Sequence, residues 1–441
     1  MIAKPTLMPL LAALAGSMVL AAAPAAAQRL SKAETAMVRT VDADQDRSIA
    51  LLEELVNQNS GTLNLAGVAK VGQRMRAELE ALGFAVTWKP MDAVQRAGHL
   101  IAVHRGRPGT KRLLLIGHLD TVFEPDSPFQ RFVRKGDLAE GPGVGDDKGG
   151  MVVIVAALRA MQAAGTLAPA NIEIVLTGDE EKSGSPHSIA RADLIAAGKR
   201  ADVALDFEGL VRDDGRDMGS VARRSAIDWR ITASGTTGHS SGIFGPGVGD
   251  GAIYELVRIL AAFRTELPEP NLTFNTGVIA GGARASIDAT GAAAAAGKPN
   301  IIPPVAIAVG DFRTLSPAQT ARVRAKMEAI VAAHAPGTDA RIEFGEGYPA
   351  MAPTEGNRAL LAALNGVNRD LGLAEMPALD PLKRGAGDIS FVAADVDSLA
   401  GLGPYSTGDH APGEAVDLPS IARQAKRAAI LMSRLSTERA R

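Results

Sequence analysis

Five short stretches of this sequence bring together side chains of the types that hold metal ions. Gly117-His118-Leu119-Asp120 follows the apolar run 113–116, Gly178-Asp179-Glu180-Glu181 follows the run 172–177, and Glu208 follows the run 203–207. The segment 399–402 leads through a loop to His410, and Asp146-Asp147 stands just ahead of a helical stretch. Taken singly, each has an ordinary reading. His118 and Asp120 fit a turn histidine with a local hydrogen bond, Asp179 to Glu181 fit a solvated acidic turn, and Asp146-Asp147 fit the acidic cap of a helix. Glu208 and His410 carry almost no signal alone. Collected in one place, so many carboxylates are costly unless a multivalent cation compensates their charge. The chain has no Cys, which excludes disulfides, thiolate sites and a Cys nucleophile, so any metal rests on carboxylates and the seven His.

The elements that must position these groups alternate. Short apolar strands are expected at 84–88, 99–104, 113–116, 172–177 and 203–207, with helices at 41–58, 68–82 and 150–165. That order predicts an α/β domain with a mixed, largely parallel sheet. In such sheets the ligand site lies beyond the carboxyl ends of the strands, where these His, Asp and Glu residues stand. After about residue 218 the texture changes to a strand–helix–strand–strand–helix–strand order, which fits an inserted ferredoxin-like α+β lid. The small-residue tract 292–296 inside it reads as a flexible hairpin insertion. Long helices and short apolar strands return from about 354, so the expected division is 28–217 and 348–441 for the first domain and 218–347 for the lid.

The charge balance is near neutral, with 47 Lys+Arg against 49 Asp+Glu, and gives no basis for nucleic-acid binding. Lys4, the apolar stretch 7–22 and Ala25-Ala26-Ala27 form the pattern of a signal peptide over 1–27 with cleavage after Ala27. The mature protein is then expected to be secreted or periplasmic. No later segment is long and apolar enough to span a bilayer, which takes about 20 residues.

Four ordered motifs carry a specific resemblance. Gly117-His118-Leu119-Asp120-Thr121-Val122, Gly141-Pro142-Gly143-Val144-Gly145-Asp146-Asp147-Lys148-Gly149-Gly150, Asp179-Glu180-Glu181 and Asp206-Phe207-Glu208 resemble the dizinc metallopeptidases that include glutamate carboxypeptidase, acetylornithine deacetylase and succinyl-diaminopimelate desuccinylase. The pattern is most similar to the glutamate carboxypeptidase branch. The similarity spans about residues 48 to 435 and includes Gly238-His239-Ser240 and Asn300-Ile301-Ile302-Pro303. It implies a zinc-peptidase-like catalytic domain with a lid, and two Zn²⁺ per subunit, although His/carboxylate sites also accept Co²⁺ or Mn²⁺. By resemblance Asp146 bridges the two ions, Glu181 and His410 complete one site, and His118 and Glu208 complete the other. Asp120 orients the His118 ring, Asp147 caps the helix or supports the ligands, and Glu180 is the general base. His239 is the oxyanion donor, reaching across a homodimer formed through the lid. Asn300 and Arg313 occupy positions that grip a substrate carboxylate, and Arg384 is expected to narrow or charge the pocket.

The family's histidine stands nearer its acidic follower than His410 does to Glu414, which leaves Asp409 as a rival ligand. His99 and His104 are placed on an edge strand, and His187 and His334 on exposed helical ground. Asp42, Asp44, Asp46 and Glu53 match parts of a calcium loop, but Arg47 replaces the required Gly, so the match is set aside. The function implied is hydrolysis of an amide to release a C-terminal amino acid from a small peptide or N-acyl amino acid. The alternatives are an N-acyl amino acid deacylase or dipeptidase of the same family and, from another class, a periplasmic solute-binding protein. Binding alone gives no reason for Glu180 beside a five-ligand metal set.

Overall fold

The computed structural model describes residues 30–440, so the signal segment 1–27 lies outside the described residues. Its main sheet has six strands in the spatial order Ala85–Met91, Arg96–His104, Asn171–Thr177, Arg112–His118, Val203–Asp206 and Ser398–Leu399. The last four run parallel, and the first two join antiparallel. The sheet is therefore mixed and largely parallel, as the alternation of elements requires.

Its core strands are buried on both faces, which is why Leu113 to Ile116 read as an unbroken apolar run. One face packs against helix Lys148–Ala163, itself apolar all round and covered in turn by Lys32–Ala43, Gln45–Asn57 and Leu418–Leu435. The helix expected at 41–58 is two helices that meet at Asp44, preceded by a first turn that Ser31 and Glu34 close as a capping box. Asp44 is the C-cap of one and the N-cap of the other, so the acidic run is helical backbone rather than a cation loop.

Residues 227–344 build a four-stranded antiparallel sheet in the order Thr273–Gly282, Val305–Arg313, Ile227–Gly235, Thr338–Phe344. Helices Gly251–Glu266 and Pro317–Ala332 cover one face and enclose a separate core around Trp229, Ile259 and Phe263. In chain order this is the expected βαββαβ lid. The Ala-rich tract forms a definite hairpin, Ala293–Ala296 paired with Arg284–Ile287, which lays Ile287 against Ala280 and Ile307 on the other face.

Candidate metal centre

Register brings the ligands together. His118 ends its strand opposite Thr177 of one neighbour, and two residues earlier Ile116 lies opposite Asp206 of the other. The turns that follow carry Glu180, Glu181 and Glu208 to the same edge of the sheet. Asp146 arrives from the loop before Lys148–Ala163 and stands between two imidazoles. His118 Nε2 lies 2.9 Å from its Oδ1, and His410 Nε2 lies 3.0 Å from its Oδ2. Glu181 Oε2 is 3.2 Å from the same His410 nitrogen. One ligand atom each from His118, Asp146 and Glu181 falls within a single 4.8 Å group.

Glu208 sits apart from that group and is gripped by cations. Its Oε2 is 2.5 Å from Arg223 Nη1 and 3.4 Å from Arg384 Nη2. Its Oε1 is buried without a protein partner, and so is Oε1 of Glu181. Buried carboxylate oxygens are seldom left orphaned, and a divalent cation is what this donor set would satisfy. The charges agree. Although burial opposes it, hydrogen bonds to Asp120 and Asp146 raise the His118 imidazole well above its ordinary value. Hydrogen bonds to Asp146 and Glu181 push His410 up to about 11. Burial raises Glu181 to about 7 and, helped by Glu208, raises Glu180 well above the usual carboxylate range.

Asp120 does more than orient a ring. His118 Nδ1 is 3.1 Å from its carbonyl and 3.4 Å from its carboxylate, while that carboxylate accepts the Glu180 amide at 3.0 Å, the Glu181 amide at 3.2 Å and the Thr62 hydroxyl at 2.6 Å. One buried side chain therefore sets both the His118 ring and the acidic turn. Of the two roles expected for Asp147, helix cap or support behind the ligands, the contacts fit the second. Its carboxylate makes no cap hydrogen bond and instead accepts the His118 amide at 3.2 Å.

Between His410 and Asp409, the imidazole is the group on Asp146 and Glu181, whereas Asp409 bonds Ser406. The unusual spacing is absorbed by backbone conformation: His410 itself is left-handed, at φ 65°, between Gly408 and Gly413, which are left-handed too. Glu414 then ties the two ligand loops together by accepting the amides of Gly143 at 3.1 Å, Gly145 at 2.8 Å and Asp146 at 3.1 Å.

The lid residues stand elsewhere in the chain. His239 is exposed with Nδ1 2.8 Å from Ser241 Oγ, and the Ser240 amide donates to the Asn300 carbonyl, so His239 and Asn300 are neighbours. Among the described residues no hydrogen bond or ion pair links either to the metal cluster. Arg313 pairs with Asp311 at 3.1 Å at the end of its strand, close to the 384–387 loop. Arg384 is largely buried, donating to the Gly209 carbonyl at 2.9 Å as well as meeting Glu208. The other histidines are structural. His99 and His104 lie on an inner strand rather than an edge, held by the carbonyls of Ala190 and Ala170 at 2.8 Å each. His187 is half-buried among Tyr348 and Phe391, and His334 meets Glu255 and Asp339.

Four groups escaped sequence reasoning: Arg223, Asp206 as a charged partner, Glu414 and the Arg191–Asp388 pair. Asp206 had a signal, since it shares its short motif with Glu208. For Arg223, 15 positions further on, local pattern offers none.

Comparison with known proteins agrees with this geometry. Residues 114–434 match the model of "Peptidase family M20/M25/M40". Carboxypeptidase G2 from a Pseudomonas species is 28% identical over 419 residues, covering 91% of this chain and 92% of that protein. A succinyl-diaminopimelate desuccinylase from Variovorax paradoxus is 26% identical over 395 residues, covering 85% and 94%. In fold, the chain is similar to a tripeptidase from Staphylococcus aureus, with a TM-score of 0.67 at 18% identity over 89% of this chain and 99% of that one. It is likewise similar to a dinuclear metal-binding peptidase of Bacillus subtilis, with a TM-score of 0.61 at 15% identity over 90% and 99%. A family match spanning most of the chain, over a cluster of histidines and carboxylates at the sheet edge, makes this protein a metallopeptidase of family M20/M25/M40.

Proposed function

We propose that the enzyme hydrolyses an amide bond to release a C-terminal amino acid from a small peptide or N-acyl amino acid. The observation that carries this reading is the Asp146 carboxylate, which offers one oxygen to the His118 side and the other to the His410 side, beside an acid held at high pKa in Glu180. His118 and Glu208 with Asp146, and Glu181 and His410 with Asp146, would hold two divalent cations, zinc by the family resemblance, with Co²⁺ or Mn²⁺ also compatible with the donor set. Bound there, such ions act as Lewis acids and lower the pKa of water towards neutrality.

The chain's own residues supply the rest. Glu180 takes the proton of the attacking water and returns it to the departing amine nitrogen, a role suited to a carboxyl raised by burial. Asp120 keeps that turn in place through the two backbone amides. Arg313 and Asn300 take the free carboxylate of the substrate, and His239 donates to the developing oxyanion. The family resemblance adds a homodimer in which a second lid supplies His239. Exposed Phe244, Tyr254, Val257 and Ile279 give that lid an apolar surface to cover. Export with cleavage after Ala27 completes the reading. No helix of the described residues is long and apolar enough to cross a membrane.

The test combines metal analysis with turnover of acyl-glutamate, acyl-alanine, succinylated amine and simple dipeptide substrates. Glu180→Gln is expected to lower kcat by roughly 10²–10⁴-fold with metal content unchanged, and a chelator to abolish turnover. Full turnover by Glu180→Gln overturns the mechanism. The substrate panel separates peptidase from deacylase.

A further inference from the structure

The two connections between the lid sheet and the main sheet run side by side. Arg223 bridges to Met351 and Ala226 to Tyr348, the latter through Tyr348 N to Ala226 O at 2.8 Å and Ala226 N to Tyr348 O at 3.1 Å. Gly347 makes this approach possible. Its φ is 61°, and a Cβ there would fall 2.4 Å from the Ala226 carbonyl. Each connection sends one side chain back to the metal centre. Arg223 grips Glu208, as described above, and Tyr348 reaches the turn that carries Glu180.

The Tyr348 hydroxyl lies 2.7 Å from the Glu180 carbonyl oxygen, and Arg191 Nη2 lies 3.0 Å from the same hydroxyl. A guanidinium only donates, so the single phenolic proton is directed at the carbonyl. Arg191 is fully buried and is itself fixed on the turn, through Asp179 Oδ1 at 2.6 Å and the Asp179 carbonyl at 3.1 Å. It also meets Asp388 Oδ1 at 2.7 Å, whose other oxygen accepts from Thr177 Oγ1 at 2.5 Å. The Tyr348 ring is seated against Phe391, with centroids 5.0 Å apart, and His187, at 5.8 Å. The backbone of Asp179-Glu180 is therefore gripped on one side by Arg191 and Tyr348 and on the other by Asp120.

We propose that Tyr348, on the connection that returns from the lid, is a positioning residue that fixes the backbone of Glu180 and so the alignment of the base. The proposal rests on the functional reading above, in which Glu180 is the base. Tyr348 touches no reacting atom in this account. It acts through the carbonyl of the residue that does.

Tyr348→Phe tests the proposal because it deletes one hydroxyl and keeps the ring packing. In the metal-loaded enzyme kcat is expected to fall about five- to tenfold, the range one ordinary hydrogen bond commands, with KM and bound metal unchanged. In the same variant, amide hydrogen exchange is expected to rise over 178–184 and to stay unchanged over 148–163. A kcat within about twofold of the wild type, or unchanged exchange over 178–184, overturns the proposal. A loss that appears in KM or metal content with kcat held also overturns it. If the wild type turns over nothing in the panel, the functional reading fails, and the exchange measurement alone decides whether Tyr348 holds the turn.

Discussion

Replacing Arg223 by Met removes the tightest charge compensation at the metal centre. The guanidinium is buried, 2.5 Å from Glu208 and 3.2 Å from Asp206, and it also donates to the carbonyls of Gly385 and Ala386. Two buried carboxylates face two cations here, because Arg384 is 3.4 Å from Glu208. Losing one cation leaves Arg384 alone to face Glu208 and Asp206, the latter raised to about 7 by burial and by Glu208, and breaking a buried pair in this way costs about 3–5 kcal/mol. Arg384 remains as partial compensation, which places the expected cost near about 3 kcal/mol on that scale. At about 2.1 cal/mol/K of unfolding entropy per residue, each kcal/mol moves the melting midpoint of a chain this long by about 1 °C, so the chelator-stripped variant should melt roughly 3–4 °C below the stripped wild type. A divalent cation supplies the missing charge, so the deficit should shrink when zinc is restored. Thermal melts of both proteins, stripped and reloaded, give all four midpoints. A stripped variant within about 1 °C of the wild type, or a deficit that zinc leaves untouched, would refute the electrostatic argument.

Two further outcomes follow from named contacts. Glu414→Ala should lower metal affinity by about 10–100-fold, read by competition with a chelator, because three amides of the Asp146 loop lose the carboxylate that fixes them. Glu78 predicts a pH effect: burial opposes its ionisation, but Arg74 at 2.8 Å and Arg159 at 2.5 Å outweigh that and hold its carboxyl below the ordinary value. The stabilisation is therefore complete above the unfolded value, about 4.3, and is lost as pH falls through the lower folded value. The difference in melting temperature between wild type and Glu78→Gln should be largest at neutral pH and close on acidification. A difference that stays constant down to pH of about 2 would contradict the pairing.

The alternation of short apolar runs with amphipathic segments was enough to place the main-sheet strands, the lid order and four of the five ligand-bearing turns, because periodicity is a property of neighbouring residues. Local pattern failed where local signals compete. The apolar stripe from Ile49 onwards concealed a helix break at Asp44, and a strand rich in His and Gly, Arg96–His104, resembled an edge while lying inside the sheet. Asp147 had the composition of a cap, yet its carboxylate turned to the His118 amide because the strand end passes directly over it.

What the sequence alone determined is the inventory: which donors exist, that no thiolate is among them, and that strand ends carry them to one edge. Only the tertiary structure decided how each donor is used. Glu208 keeps one oxygen for arginines 15 and 176 positions away, His410 rather than Asp409 meets Asp146 and Glu181 through a left-handed backbone, and Tyr348 leans on Glu180 from the connection that returns from the lid. The reason is physical. Backbone periodicity is decided within a few residues, whereas a buried charge or hydroxyl must be satisfied by whatever the completed packing brings within about 3 Å, however distant in the chain.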